Sequence, residues 1–346
     1  MRAADREALL RWYRKHARDL PWRRTRDPWA ILVSELLLQQ TRVIQAEPYY
    51  RQILARFPRP EDLARAEFSE LLTLWQGAGY YRRAEYLHRA AREIAERGFP
   101  RSFEGLLALP GVGRYTAGAV ASIAFGEPVP AVDGNARRVL ARYYALEDPS
   151  RAELEARAAA ILDREDPGSW NQALIELGAT LCRPRSPDCA ACPLRAGCRG
   201  KSAPERYPAP RSRKAKAWRL FALYLEGPGG PVLEKRTRAP WRGLFSLPLD
   251  ESRERLLARY RVSEARALGT LRYALSHRRI EATLLHARGA WPGIDPQSVP
   301  LSTFARRLLE LAEQKLAEPE PGEALLTVAP AAAGAGTDGV EPEKPG

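Results

Sequence analysis

Two carboxylates occupy unusual positions in the chain. Glu35 is the single acid in the window 29–42, WAILVSELLLQQTR, with Ile31, Leu32 and Val33 before it and Leu36, Leu37 and Leu38 after it. In a dry pocket such a carboxyl has a raised pKa and stays protonated near neutrality, the state a general acid needs. On a polar strip with Ser34, Gln39 and Arg42 it is instead an ordinary solvated Glu. Asp133 follows the extended run EPVPAV and precedes Gly134, Asn135 and the helix-like ARRVLARYYAL. It reads as a helix cap. An Asp ionised there, its pKa lowered by the helix dipole, can also stabilise a developing positive charge. A neutral acid beside a charged one divides the labour of glycoside cleavage: one protonates the leaving group, and the other faces an oxocarbenium-like sugar.

Four cysteines form a second constellation. Cys182, Cys189, Cys192 and Cys198 make a C-x6-C-x2-C-x5-C array, and the chain has 4 Cys in all. With no export signal in view, disulfides are disfavoured, and clustered thiolates suit a metal centre. Zinc and an iron–sulfur cluster compete. One C-x2-C flanked by longer spacers favours the larger [4Fe–4S] cube over paired zinc knuckles. The loop RPRSPD between Cys182 and Cys189 carries Arg183 and Arg185, which could contact phosphates.

A third feature is the stretch 104–120, EGLLALPGVGRYTAGAV, which reads helix, glycine turn, helix. Gly111, Val112 and Gly113 would turn backbone N–H groups outward at a helix N-terminus, where an anion is favoured. An ordinary helix–helix turn would need the same glycines. Beside a basic domain, LPGVG followed by Ala117, Gly118 and Ala119 looks like the helix-hairpin-helix motif, which grips phosphates without reading sequence.

The elements that must position these groups follow from periodicity. Windows 29–42, 69–76, 83–97, 114–125, 135–146 and 151–162 have helical spacing, so residues 1–200 are expected to form a helical domain. Residues 201–217, KSAPERYPAPRSRKAKA, read as an exposed basic linker. Alternation over 218–226, 231–237 and 278–287, with a helical window at 302–317, predicts an α/β domain at 218–317. Residues 318–346, rich in Ala, Gly, Pro and Glu, predict a disordered tail. The net charge of +13 falls almost entirely within residues 1–217 and favours polyanionic partners. No apolar run approaches the ~20 residues of a membrane span, and the charged N-terminus lacks a secretory core. A cytoplasmic protein with no membrane partner is expected.

Taken together, SELLLQQTRV (34–43), GAGYYRRAEYLH (77–88), LPGVGRYTAGAV (109–120), VDGNARRVLAR (132–142) and the cysteine array resemble the adenine DNA glycosylase (MutY) family of the helix-hairpin-helix superfamily, in family order over residues 8–198. The resemblance implies a monomer acting on double-stranded DNA, at the nucleoid in a bacterium. It implies that adenine opposite 8-oxoguanine or guanine is flipped out and its N-glycosidic bond hydrolysed. Glu35 then corresponds to the acid that protonates adenine N7, and Asp133 to the carboxylate that stabilises or traps the sugar cation. Tyr115 and Asn135 correspond to supporting catalytic positions. Gln40 and Tyr80 correspond to residues that wedge into the duplex. Trp22, Arg23, Leu38 and Gln172, with Arg18 close by, correspond to the adenine pocket, although core packing also accounts for Trp22 and Leu38.

The cysteines then hold a [4Fe–4S] cluster. RAPWRGLFSLP (238–248) and ALSH (274–277) resemble the family's Nudix-related C-terminal domain, in which Ser276 and His277 would read 8-oxoguanine. Leu275 stands where the family usually has an aromatic residue. The related endonuclease III places a nucleophilic Lys where this chain has Tyr115, and no Lys lies between Lys15 and Lys201, so a hydrolase without lyase activity is expected. An endonuclease III-like bifunctional lyase and a non-catalytic iron–sulfur DNA-binding protein are the alternatives.

Overall fold

A computed structural model describes residues 1–209, 215–238, 240–275, 277–289 and 291–318. Its first part is helical: α1 (Ala3–His16), α2 (Pro28–Leu38), α3 (Val43–Arg56), α4 (Pro60–Arg65), α5 (Phe68–Leu74), α6 (Arg82–Arg97), α7 (Phe103–Leu107), α8 (Arg114–Phe125), α9 (Gly134–Tyr144), α10 (Arg151–Ile161) and α11 (Pro167–Thr180). The expected windows correspond to α2, α5, α6, α8, α9 and α10. Helix α7 is the first helix of the expected glycine hairpin, while α1, α3, α4 and α11 were not anticipated.

Helix α2 explains the placement of Glu35. Pro28 sits at its first turn, and the Asp27 side chain accepts from the N–H groups of Trp29 at 3.1 Å and Ala30 at 3.4 Å. Every residue from Trp29 to Leu37 is buried, as expected of a helix apolar on all faces. The polar-strip reading fails because Ser34 is buried too and turns its hydroxyl to the Ile31 carbonyl at 2.8 Å. The helix also stops at Leu38, four residues before the expected end, because Gln40 adopts a left-handed φ of 62°.

The loop that ends α2 is tied down by Arg83 of α6, which is 5% exposed. Its Nη1 donates to the carbonyls of Leu36, Leu37 and Gln39 at 2.6–2.9 Å. Its Nη2 donates to Thr41 Oγ1 and to the carbonyls of Ala78 and Gly79 at 3.0–3.1 Å. One planar cation thus satisfies orphan carbonyls at the end of α2 and joins two loops, 38–41 and 77–80.

The second part is a five-stranded sheet with two packed helices. Its strands are β1 (Lys216–Gly227), β2 (Gly230–Pro231), β5 (Leu249–Asp250), β6 (Arg266–Leu275) and β7 (Arg278–Ala287), while β3 (Glu234–Lys235) pairs with β4 (Phe245–Ser246). The sheet order is β2-β1-β7-β6, with β5 also on β1. The β1–β7 pair is parallel and β6–β7 antiparallel. Helices α12 (Arg253–Arg259) and α13 (Thr303–Ala317) complete it. The stretch 231–237, expected as one strand, contributes only the short β2 and β3 pairings, since Val232 and Leu233 turn into the core between them.

Within the stretch expected as an exposed linker, Ala209 N–H donates to the Glu147 carbonyl at 2.7 Å and Arg142 Nε to the Tyr207 carbonyl at 3.1 Å. The chain up to Ala209 therefore lies against the helical part. The tail expected at 318–346 falls outside the described residues from 319 onward. One apolar core runs through both parts, with Leu71, Leu72 and Trp75 in the same cluster as Trp241, Leu244 and Phe304.

Arg83→Met should cost about 3 kcal/mol in denaturant unfolding, because several buried carbonyls lose a charged donor at once. Amide exchange should accelerate first at 38–41 and 77–80. Arg83→Lys should recover only part, since one ammonium cannot reach both loops. A loss below 1 kcal/mol would show that the clamp is ornamental.

Candidate active site

Helices α2, α8, α9 and α11 bring Glu35, Tyr115, Asp133, Asn135 and Gln172 to one cleft of about 1170 Å³. Arg18, Trp22, Arg23, Leu38 and Gln40 line the same cleft. Trp22 also packs edge-on to Tyr50 at 5.2 Å, so it serves both core and cleft.

Glu35 is 7% exposed, and its Oε2 has no hydrogen-bond partner. Burial, reinforced by the charge of Asp133, pushes its pKa up to about 7, against a hydrogen bond from Tyr115 and the nearby Arg23. The Tyr115 phenol is raised well above 10 by burial and by both carboxylates, so it stays a neutral donor.

Asp133 caps α9. Its Oδ1 accepts from Ala136 N–H at 2.7 Å and its Oδ2 from Asn135 Nδ2 at 2.8 Å. The expectation of a lowered pKa needs correcting. Burial raises it, and these donors, with Arg138, only oppose the rise. Desolvation outweighs the helix end because the carboxyl sits within the cleft wall, largely removed from water. The two acids still differ in kind. Asp133 receives donors that favour its anion, while Glu35 presents an oxygen with none.

Behind Asp133, Arg138 Nη2 donates to Asn135 Oδ1 at 2.9 Å and to the Gly178 carbonyl at 2.7 Å, and its Nε donates to the Cys182 carbonyl at 2.7 Å. A single side chain thus links the Asp133 cap to the cysteine loop. Helix α11 can lie this close because any Cβ at Gly178 would meet Asn135 at 2.6 Å.

Sequence reading missed Glu176. Its side chain is fully buried and receives Arg18 Nε at 2.8 Å and Nη2 at 2.7 Å, and Arg23 Nη2 at 2.6 Å. Burial alone would raise its pKa, but the two guanidiniums bring it down to about 2. This pairing fixes both arginines on the cleft wall.

Other singled-out residues lie around the rim or beyond it. Gln40 and Tyr80 are exposed and held at φ 62° and 48°, unusual for side-chain-bearing residues. Ile44, at the cleft mouth, is 80% exposed, another feature missed in the sequence. Gly111 takes φ 76°, and a Cβ there would meet Tyr86 at 2.4 Å. Val112 turns its side chain inward and spends its N–H on the Leu109 carbonyl at 3.1 Å, so it does not point an amide outward as expected. Gly113 opens α8 with free space where a Cβ would be. His277 is exposed on the β6–β7 turn, its carbonyl accepting from Lys216 N–H at 3.1 Å. Ser276 lies outside the described residues.

The four cysteine thiols are unpaired and line one pocket with Arg142 and Lys201. Arg142 is 3% exposed; its Nη1 stands 3.4 Å from Cys182 Sγ, and its Nη groups donate to the Arg183 and Pro184 carbonyls at 2.7 Å and 3.0 Å. Among the described residues no three His, Cys, Asp or Glu side chains converge on a single-ion site. Four thiols around one pocket form a donor set suited to a metal centre. Arg183 and Arg185 are exposed beside it.

The carboxyl pKa has a consequence for folding. A carboxyl near 4.5 unfolded and about 7 folded contributes stability fully below pH 4.5 and loses it as pH rises through 7. Glu35→Gln should therefore become more stable than wild type with rising pH, by ~3 kcal/mol at pH 9 relative to pH 4. A pH-independent difference in urea unfolding would refute the buried, neutral acid.

Comparison with known proteins converges on one superfamily. Residues 33–164 match the HhH-GPD superfamily of base excision DNA repair proteins. The chain is 33% identical over 258 residues to an adenine DNA glycosylase of Buchnera aphidicola, covering 70% of this chain and 74% of that one. It is 44% identical over 220 residues to the adenine DNA glycosylase of Homo sapiens, covering 59% of this chain but only 40% of the human protein's length. A thermostable thymine-DNA glycosylase has a similar structure, with a TM-score of 0.54 at 31% identity, over 57% of this chain and 94% of that one. With the two acids, the hairpin and the thiol pocket in one frame, the chain belongs to the adenine DNA glycosylase family of the HhH-GPD superfamily.

Proposed function

We propose that the protein is a monofunctional DNA glycosylase that removes adenine mispaired with 8-oxoguanine or guanine. The observation that carries this reading is the pairing of Glu35, buried with an unpartnered oxygen, with the donor-held Asp133 in one cleft. Adenine is extruded into the cleft between Trp22, Arg23, Leu38 and Gln172, with Arg18 at its edge. Neutral Glu35 donates its proton to N7, which weakens the C1′–N9 bond, and the base leaves with the bonding pair. The sugar cation that remains faces the Asp133 carboxylate, which Asn135 and Ala136 hold in place. Water adds at C1′ and its proton returns to Glu35, giving an abasic site. Tyr115 keeps Glu35 oriented. It is a neutral phenol with no amine to form a Schiff base, which supports hydrolysis without lyase chemistry.

Gln40 at the cleft rim and Tyr80 beyond it fill the space the base leaves, and the strained backbone at both is consistent with that use. The hairpin glycines Gly111 and Gly113 receive a phosphate, with Val112 as the apolar pin that sets the turn. His277, with Ser276, contacts 8-oxoguanine from a Nudix-like domain. A [4Fe–4S] cluster on Cys182, Cys189, Cys192 and Cys198 fits the four spaced thiols. When bound it supplies a rigid anchor for the loop bearing Arg183 and Arg185, not redox turnover. The protein acts as a monomer on duplex DNA. Among the described residues no helix is long and apolar enough to cross a membrane.

Single-turnover assays on an adenine:8-oxoguanine duplex test the reading. Wild type should release adenine, Glu35→Gln should be slower by about 10³-fold or more, and Asp133→Asn by roughly 10²–10³-fold. Rates within tenfold of wild type for either variant would refute the assigned roles. The purified protein should absorb near ~400 nm, and Cys192→Ser should lose both that band and much of its DNA affinity. A colourless preparation containing zinc would refute the cluster.

A further inference from the structure

A second cavity of about 640 Å³ lies where the helical part meets the sheet part. It is walled by Gln45, Gln52, Thr73 and Gln76 and closed by Arg306 of α13. Among the described residues none lining it carries a carboxylate. Arg306 is exposed, and its Nη2 donates to the neutral Gln76 amide oxygen. A cation among neutral donors, with no acid in the wall, leaves a positive potential for which an anion is the natural complement.

Gln40 joins this cavity to the catalytic cleft, since it lines both. If Gln40 enters the duplex where adenine has left, the adenine strand runs on the cleft side of it. The facing strand then runs over the second cavity. The sheet part leans over the same place. Arg306 and Tyr273 both lie close enough to Tyr81, the neighbour of Tyr80, to influence it electrostatically, and Tyr273 stands two residues before Leu275 on β6.

We propose that Arg306 is a phosphate anchor for the strand facing the extruded adenine, seated in the cavity between the two parts of the chain. This rests on the glycosylase reading and extends it. The sheet part would then hold the facing strand by its backbone as well as by the β6–β7 turn, and would grip DNA whatever base lies opposite.

The test measures duplex affinity against salt concentration in the Glu35→Gln background, so that an adenine:8-oxoguanine substrate stays intact. Arg306→Gln should lower the slope of log affinity against log salt by about 0.9 and weaken binding roughly 5- to 10-fold at 0.1 M salt, while Arg306→Lys keeps the slope. Duplexes carrying one neutral methylphosphonate at a time locate the contact. At one phosphate of the facing strand, the modification should weaken the Arg306 protein as much as the substitution does, and the two losses should not add. An unchanged slope, or coupling only to phosphates of the adenine strand, would overturn the proposal. Arg306→Gln in the otherwise wild-type chain should release adenine from saturating substrate within threefold of wild type, which shows that it is folded. Wild-type protein that binds with the predicted slope but releases no adenine would instead refute the glycosylase reading alone.

Discussion

Desolvation of one carboxyl governs this molecule. Glu35 lies on a helix whose neighbours on every side are buried, and among the described residues nothing donates to its buried Oε2. A group so placed keeps its proton near neutral pH, at an expense in folding free energy that an exposed Glu would not incur. The site therefore weakens the fold where its chemistry is strongest. The surroundings hold the acid in place: α2 is capped at Asp27, tied at its end by Arg83 and packed against α8, whose Tyr115 hydrogen-bonds the carboxyl.

Buried or half-buried guanidiniums make the remaining connections. Arg83 joins the loops of Gln40 and Tyr80, Arg138 joins the Asp133 cap to the cysteine loop, and Arg142 holds that loop by its carbonyls. Each meets backbone oxygens, using a planar fork that satisfies several acceptors at once, which an ammonium cannot match. Arg18 and Arg23 are different, because both converge on Glu176, so the cleft wall is built around an ion triad whose acid is fully buried. Removing Glu176 would strip both guanidiniums of their counter-charge, so the triad constrains the wall's shape more than it adds net stability.

The sequence carries these features unevenly. Helices with apolar periodicity, the cysteine array and the glycine hairpin are local, so spacing alone marks them. Glu35 stands out because it interrupts an apolar run. Glu176 and Arg83 do not. Both look like ordinary polar residues in helices, and the partners that define them lie up to 158 residues away. Strand β6 was missed because its residues alternate between exposed and half-buried at the sheet edge, so little apolar contrast remains. The pKa of Asp133 was misjudged in direction because a cap motif predicts donors but not the loss of water around them.

Everything rests on Glu35 holding its proton in the folded protein up to about neutral pH. Infrared difference spectroscopy can read this directly from the protonated carboxyl band that disappears in Glu35→Gln. The account predicts a band present at pH 6 that titrates away with a midpoint near 7. A midpoint near 4.5 would mean an ordinary solvated glutamate and would contradict the account.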